Sequence, residues 1–385
     1  MKALLCLLTT GLVARFNLVS GLNLTIGNGV LHRRSYFYVG GSYTPTSGSS
    51  NESDVVVSSG QMYVEHLVPL TVTHKLPIVI IPGNGMTGTN FLNTPDGRTG
   101  WADYFMGQGY ELYIADQPSR GRSPWQQNID GPQMTFDALT IEQRFTATTK
   151  FDLWPQAHLH TQWPGNGSRG DPTFDNFYTS IVPALQSNTE ASLKVKHAGV
   201  ALLDRIGTRT SAVSPQPAIV LTHSQSGQFG WLLADARPSL VKAIVAIEPM
   251  GPPFINAVFP PFTPARPFGL TEIPVNFLPP INTAADLQTA VVSSTTNFTC
   301  IQQVSPPRKL ANVSKVPVLL VTSESGYHAV YDSCSVEFLK AAGVSVDHVN
   351  LADVGIYGNG HMMFMEKNGQ EIVDRVVNKW LKQIV

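Results

Sequence analysis

The run Pro217-Ala218-Ile219-Val220-Leu221-Thr222 passes through only His223-Ser224-Gln225-Ser226 before Gly227-Gln228-Phe229-Gly230-Trp231-Leu232-Leu233 begins a helix. An apolar strand of this kind must be covered on both faces, and a chain that leaves it directly for a helix belongs to a parallel, helix-covered sheet. The turn reads as a nucleophile elbow. At such an elbow a serine is forced into a strained backbone conformation that exposes its hydroxyl, and the residues two before and two after it must be small. Here those residues are Thr222 and Ser226, where the usual motif has glycine. Taken alone, the segment could be an ordinary Ser/Gly-rich turn. The elbow reading therefore needs partners from elsewhere in the chain.

The remaining pattern repeats the same architecture. Ser35–Val39 and Gln61–Val68 suggest two opening strands paired as an antiparallel hairpin. Leu76–Ile81 is a buried strand ending in Pro82-Gly83-Asn84-Gly85-Met86-Thr87-Gly88, a helix follows around Trp101–Phe105, and Tyr110–Ala115 is the next strand. After the elbow strand come Val241–Ile247, Val316–Val321 and Val344–Val349, and the chain closes on a helix striped by Ile372, Val376, Trp380 and Ile384. Alternating strands and helices predict an α/β fold, a mostly parallel doubly wound sheet with helices on both faces and active groups at the carboxyl ends of its strands. Two stretches break the alternation, about 124–214 and 250–314. Both are expected to be cap excursions over those strand ends, the second with an apolar lid of Phe254, Phe259, Phe262 and Phe268.

A net charge of -1 gives no electrostatic signature for nucleic acid or an anionic membrane. Residues 1–21 carry the charged start and short apolar core of a secretory signal, too short to span a bilayer. The mature chain, 22–385, is then expected to be a single domain without an integral membrane segment. Asn-x-Ser/Thr acceptors at Asn23, Asn51, Asn166, Asn297 and Asn312 suit a secreted glycoprotein. Once Cys6 leaves with the signal, Cys300 and Cys334 remain as an even pair, consistent with one disulfide.

Acyl transfer needs a nucleophile, a base, an acid that orients the base, and donors for the oxyanion. With Ser224 as nucleophile, His361 is the candidate base, because it lies on the glycine-rich loop Tyr357-Gly358-Asn359-Gly360-His361-Met362-Met363 beyond the last strand. The usual place for the acid, after the seventh strand, reads Thr322-Ser323-Glu324-Ser325-Gly326, with glycine at the expected aspartate. Glu248, ending the sixth strand, is the first choice, with Glu324 and Asp332 as competitors. Oxyanion donors are expected from the amide of Gln225 and from the loop after the third strand, Asn84 first and Gly85 second. His158-Leu159-His160 could place two imidazoles on one face of a strand, but no third ligand has metal spacing, so a polar pocket wall is the better reading. Gly83, Gly85 and Gly88 lack the spacing of a nucleotide loop. No metal or organic cofactor is expected.

Thr94-Pro95-Asp96-Gly97-Arg98-Thr99-Gly100-Trp101, Asp116-Gln117 through Gly121-Arg122-Ser123, His223-Ser224-Gln225-Ser226-Gly227, Glu248-Pro249 and Gly358–Met363 together resemble a group of secreted α/β-hydrolases represented by a bacterial esterase. The resemblance runs from about Arg34 to the C-terminus. It implies a catalytic triad of Ser224, Glu248 and His361. The chain departs from that esterase at Asn84-Gly85, where the esterase has two adjacent cysteines. The expectation is a secreted serine esterase acting on a small-molecule ester through an acyl-enzyme. Alternatives are a biosynthetic enzyme using the same site for condensation, cyclisation or acyl transfer, and a non-catalytic interaction protein on this scaffold.

Overall fold

The computed structural model describes residues 29–46, 56–209 and 215–384. The expected signal segment 1–21, Asn23 and Asn51 lie outside the described residues. An eight-stranded sheet organises the rest: β1 (His32–Pro45), β2 (Val56–Pro69), β3 (Ile78–Ile81), β4 (Leu112–Asp116), β5 (Ala218–His223), β6 (Val241–Ile247), β7 (Val318–Thr322) and β8 (Val346–Asn350). Their order across the sheet is β1-β2-β4-β3-β5-β6-β7-β8. The hairpin β1–β2 and the β2–β4 pair are antiparallel, and every pairing from β4 to β8 is parallel.

Continuous apolar runs produce this sheet because alternate side chains feed two separate cores. Val79 and Ile81 of β3 and Val220 of β5 pack on one face with α2 (Asn188–Gly207), α3 (Gly227–Ala236) and α4 (Asp332–Ala341), through Val195, Leu202, Phe229 and Phe338. Ile78, Ile80, Ile219 and Leu221 face the other way, onto α1 (Trp101–Gly107) and the C-terminal helical segments Gly369–Ile372, Val373–Asn378 and Lys379–Ile384. Ile372, Val376 and Trp380 fill that second core, as their spacing predicts.

The first excursion differs from expectation in extent. Residues 188–207 are α2, a sheet-covering helix capped by Ser187, whose side chain accepts from Glu190 N–H. It lies so close to β1 that a Cβ on Gly40 (φ +65°) would stand 2.7 Å from Cα of Ala198. The stretch before it consists of short helical turns and the helix Pro172–Thr179, whose Phe174 and Phe177 join the second core. The second excursion contains the hairpin Thr289–Ser294 and Thr299–Gln303, tied to α4 by the Cys300–Cys334 disulfide. The Phe cluster divides. Phe254 and Phe268 pack on the first core, Phe259 packs against Trp154 and Tyr327, and Phe262 is exposed. No helix among the described residues is long and apolar enough to cross a membrane.

Candidate active site

Strand β5 delivers Ser224 into a 3-10 turn, Ser224–Ser226, with φ +57° at Ser224. That left-handed conformation is strained for a residue with a side chain, and the surroundings must enforce it. Ser226, where a glycine is usual, helps to do so: its hydroxyl donates to Ile81 O (2.5 Å) and accepts from His223 N–H (2.8 Å). Gly227 must lack a side chain, because a Cβ there would meet that of Pro249 at 2.3 Å. Met250 N–H donates to Ser224 O at 2.8 Å, so the end of β6 is bonded to the elbow.

Glu248, directly after β6, is also held at positive φ (+40°). Its Oε2 accepts from His361 Nδ1 at 2.6 Å, while Oε1 accepts from Ser323 N–H at 2.8 Å and from the Ser323 hydroxyl. Gly326 explains why the carboxylate fits. A Cβ at 326 would lie 2.7 Å from Glu248 Oε1, so glycine at the usual acid position makes room for the acid arriving from the neighbouring strand. The competitors are engaged elsewhere: Glu324 accepts from Gly358 N–H (2.6 Å), and Asp332 pairs with His328 Nδ1 (3.0 Å) and Thr322 Oγ1 (2.8 Å).

Burial pushes the Glu248 carboxyl up, but the facing His328 and the hydrogen-bonded His361 and Ser323 outweigh it and hold it at about 2. For His361 burial wins, and its pKa falls below the ordinary 6.5 although Glu248 pulls it upward. With Nδ1–H donated to the carboxylate, Nε2 carries the lone pair. This nitrogen is buried with no hydrogen-bond partner among the described residues. The elbow touches the His361 loop directly, since His223 Nε2 donates to His361 O at 3.0 Å and the two rings lie 4.5 Å apart. Burial and the nearby His361 lower the His223 pKa well below its usual value, so it acts as a neutral brace.

The loop after β3 presses on Ser224. A Cβ on Gly83 would stand 2.9 Å from Cβ of Ser224 and 2.9 Å from Nδ1 of His223. Asn84 follows, its N–H without an acceptor among the described residues, and Gln225 N–H lies in the first turn after the elbow, where no intrahelical acceptor exists. The group that joins these two segments is Arg120, which no local sequence pattern marks. Its guanidinium, 2% exposed, donates to Gly83 O (2.7 Å), Asn84 Oδ1 (2.8 Å) and Gln225 Oε1 (3.1 Å). Burial lowers its pKa to about 9, partly offset by Asp116. Asn84 Oδ1 also accepts from Gly85 N–H at 3.1 Å, which holds the side chain against its own loop.

Two further groups were missed because their roles depend on tertiary placement. Tyr327 neighbours the Ser224 hydroxyl, with its ring 4.9 Å from that of His361. His328 stacks on His361 at 4.8 Å and 7°, and its Nε2 bonds the Tyr331 hydroxyl at 3.0 Å. Glu248, His328 and His361 have potential metal-ligand atoms within 4.8 Å of one another. Their donors and acceptors are already satisfied by Asp332, Tyr331, Ser323 and each other, which leaves only Nε2 of His361 to offer. The pair His158 and His160 sits on a 3-10 turn, not a strand, so the two do not share a face. His158 is exposed, while buried His160 pairs with Glu366 (2.7 Å), which also accepts from Gly360 N–H and so braces the His361 loop. Among the described sequons, Asn166 is exposed and Asn297 half-buried, whereas Asn312 Nδ2 donates to Asp235 O at 2.9 Å.

A cavity of about 280 Å³ opens beside this machinery, lined by Ser224, Met250, Phe259, Tyr327, Tyr331 and Arg144. The arrangement can activate a hydroxyl, hold an imidazole in one tautomer and present amides to a developing negative charge.

The model of the Alpha/beta hydrolase family matches residues 78–375. A protein of a fungal species (strain ATCC 74256) described as the probable secreted lipase phiG is 46% identical over 354 residues, covering 91% of this chain and 89% of that one. Among solved structures, a bacterial esterase superposes with TM-score 0.58 at 20% identity, over 93% of this chain and 98% of the esterase.

Proposed function

The chain belongs to the Alpha/beta hydrolase family, and we propose that it is a secreted serine carboxylic-ester hydrolase working through a Ser224-His361-Glu248 triad. The observation that carries this reading is the 2.6 Å bond from His361 Nδ1 to Glu248, which leaves Nε2 as a buried, unpaired base beside the strained serine elbow. Nε2 takes the proton as the Ser224 hydroxyl attacks the ester carbonyl, and the amides of Asn84 and Gln225 donate to the oxyanion. Collapse expels the alcohol with the proton from His361, leaving an acyl-enzyme. Water attacks in the same way and releases the acid. The imidazolium formed in each half-reaction is stabilised by Glu248, which stays ionised because its pKa is held at about 2.

Similarity to a protein described as a probable secreted lipase supports both the ester chemistry and the secretory route. The signal-like pattern of residues 1–21, the Cys300–Cys334 bond and the exposed acceptor Asn166 suit the same route. The test is covalent labelling with an organophosphonate. Wild-type protein should take one label on Ser224 and lose ester hydrolysis in parallel, and Ser224→Ala should take none. A label on another serine, or a Ser224→Ala variant that still turns over esters, refutes the assignment.

A further inference from the structure

Arginines near the serine are committed to different degrees. Arg120 is spent on the oxyanion segments. Arg266 lines the cavity but holds the chain of the second excursion, donating to Pro252 O (2.9 Å), Asn256 Oδ1 (3.2 Å) and Ile255 O. Arg144 lines the same cavity as Ser224 and has neither an ion-pair nor a hydrogen-bond acceptor among the described residues. Its guanidinium stacks on the ring of Phe259, whose centroid lies 4.1 Å from the guanidinium carbon, and it also feels the Tyr327 phenol. Stacking uses the flat face of a guanidinium, whereas its five N–H donors point outward in the plane and remain available. Asp137, the carboxylate whose charge it feels, is occupied in capping the following turn through Thr140 N–H and Oγ1.

The position of Arg144 is fixed from behind. It lies in a π turn, Glu142–Thr146, a distortion that often marks functional positions. Glu142 accepts from Arg169 N–H (2.9 Å), and Phe145 stacks on the His361 ring with centroids 5.2 Å apart. The turn that bears the unpaired cation is thus packed on the catalytic imidazole, and a half-buried charge without a counter-ion at that place calls for an anion to complete it.

Resting on the proposed esterase reading, we propose that Arg144 recognises a carboxylate carried by the substrate, so that the protein prefers half-esters of short dicarboxylic acids to neutral esters of the same shape. The cavity, about 280 Å³, suits a short chain between the two ends, one held at Ser224 and the other at Arg144.

The test compares kcat/KM for methyl hydrogen glutarate with that for its neutral isostere, methyl 5-oxohexanoate. A second pair, butyryloxyacetate against acetonyl butyrate, puts the carboxylate on the alcohol side. Wild-type protein should favour the glutarate half-ester, and Arg144→Met should cut that preference about tenfold to a hundredfold, the range for a hydrogen bond to a charged group. Arg144→Lys, which keeps the charge without the fork, should retain part of it. A preference only in the second pair, abolished by Arg144→Met, keeps the anion site and moves the carboxylate to the leaving group. Absence of preference in both pairs, or equal ratios in wild type and Arg144→Met, overturns the inference. If no ester turns over, the esterase reading fails separately. Calorimetric titration with methyl hydrogen glutarate then still decides the anion site, which is refuted if wild type and Arg144→Met bind it alike.

Discussion

Two imidazoles lie face to face at the carboxyl rim of the sheet, each with its own buried carboxylate, and they differ in what remains unpaired. His361 gives Nδ1 to Glu248 and keeps Nε2 without a partner, whereas His328 gives Nδ1 to Asp332 and has Nε2 tied to the Tyr331 hydroxyl. The carboxylates differ as well. Burial pushes both upward, but Glu248, facing two imidazoles and bonded twice by Ser323, ends at about 2, while for Asp332 burial prevails and its pKa is raised. A base needs a free lone pair and a partner that stays ionised as it becomes cationic. Only the first pair meets both conditions. The second has the form of a brace beneath it.

The harshest way to break this contrast is to neutralise each carboxylate without changing its shape. Glu248→Gln should reduce kcat by about 10³- to 10⁴-fold, by analogy with loss of the orienting acid in other triads. Asp332→Asn, measured with the same ester, should cost far less, about tenfold at most if its effect is confined to packing beneath His361. Equal losses would make the two pairs one catalytic unit, and a greater loss for Asp332→Asn would reverse their roles.

A smaller effect is expected from the opposite side of the serine. Arg120 ties Gly83 and Asn84 to Gln225, so in the proposed mechanism it is a positioning residue for the two amides. Arg120→Met should lower kcat by about tenfold to a hundredfold, less than the loss of an oxyanion donor at its upper range, with KM little changed. Arg120→Lys should recover part of kcat. A change confined to KM would mean that the guanidinium shapes the pocket rather than the donors.

The places of the candidate residues could be read from residue order because they sit where strands end. Ser224 follows β5, Glu248 follows β6, and His361 lies on the loop after β8, so apolar runs locate them even though Thr222 and Ser226 replace the expected glycines. Arg120 and Tyr327 were hidden because their partners come from distant segments with no local periodicity, and the His328–Asp332 pair, although only four residues apart, gains its place at the site through the stack on distant His361. The misplaced boundary of the first excursion was avoidable. Ser187 followed by Glu190, and Ala191, Val195, Ala198, Leu202 and Ile206 on one face, announce α2 as a sheet-packing helix. The strand reading of His158-Leu159-His160 failed because three residues cannot distinguish an alternating strand from a tight turn.

The mildest test addresses the stack itself. Burial, together with His328 across the stack, disfavours protonation of His361, while Glu248 and Glu366 favour it, and the balance leaves the pKa below 6.5. With neutral His361 as the base of the proposed mechanism, the acid limb of kcat/KM should lie below pH 6.5 in the wild-type protein. His328→Phe retains a flat ring against His361 but removes a group whose positive form opposes the imidazolium. The limb should therefore move upward, back toward 6.5, with the plateau rate changed only slightly. Glu248→Gln removes a charge that favours protonation and should shift any residual limb in the opposite direction. Opposite shifts in the two variants would show that the acid and the stacked ring tune one base from two sides. An unmoved limb in His328→Phe would leave the second pair a purely mechanical support.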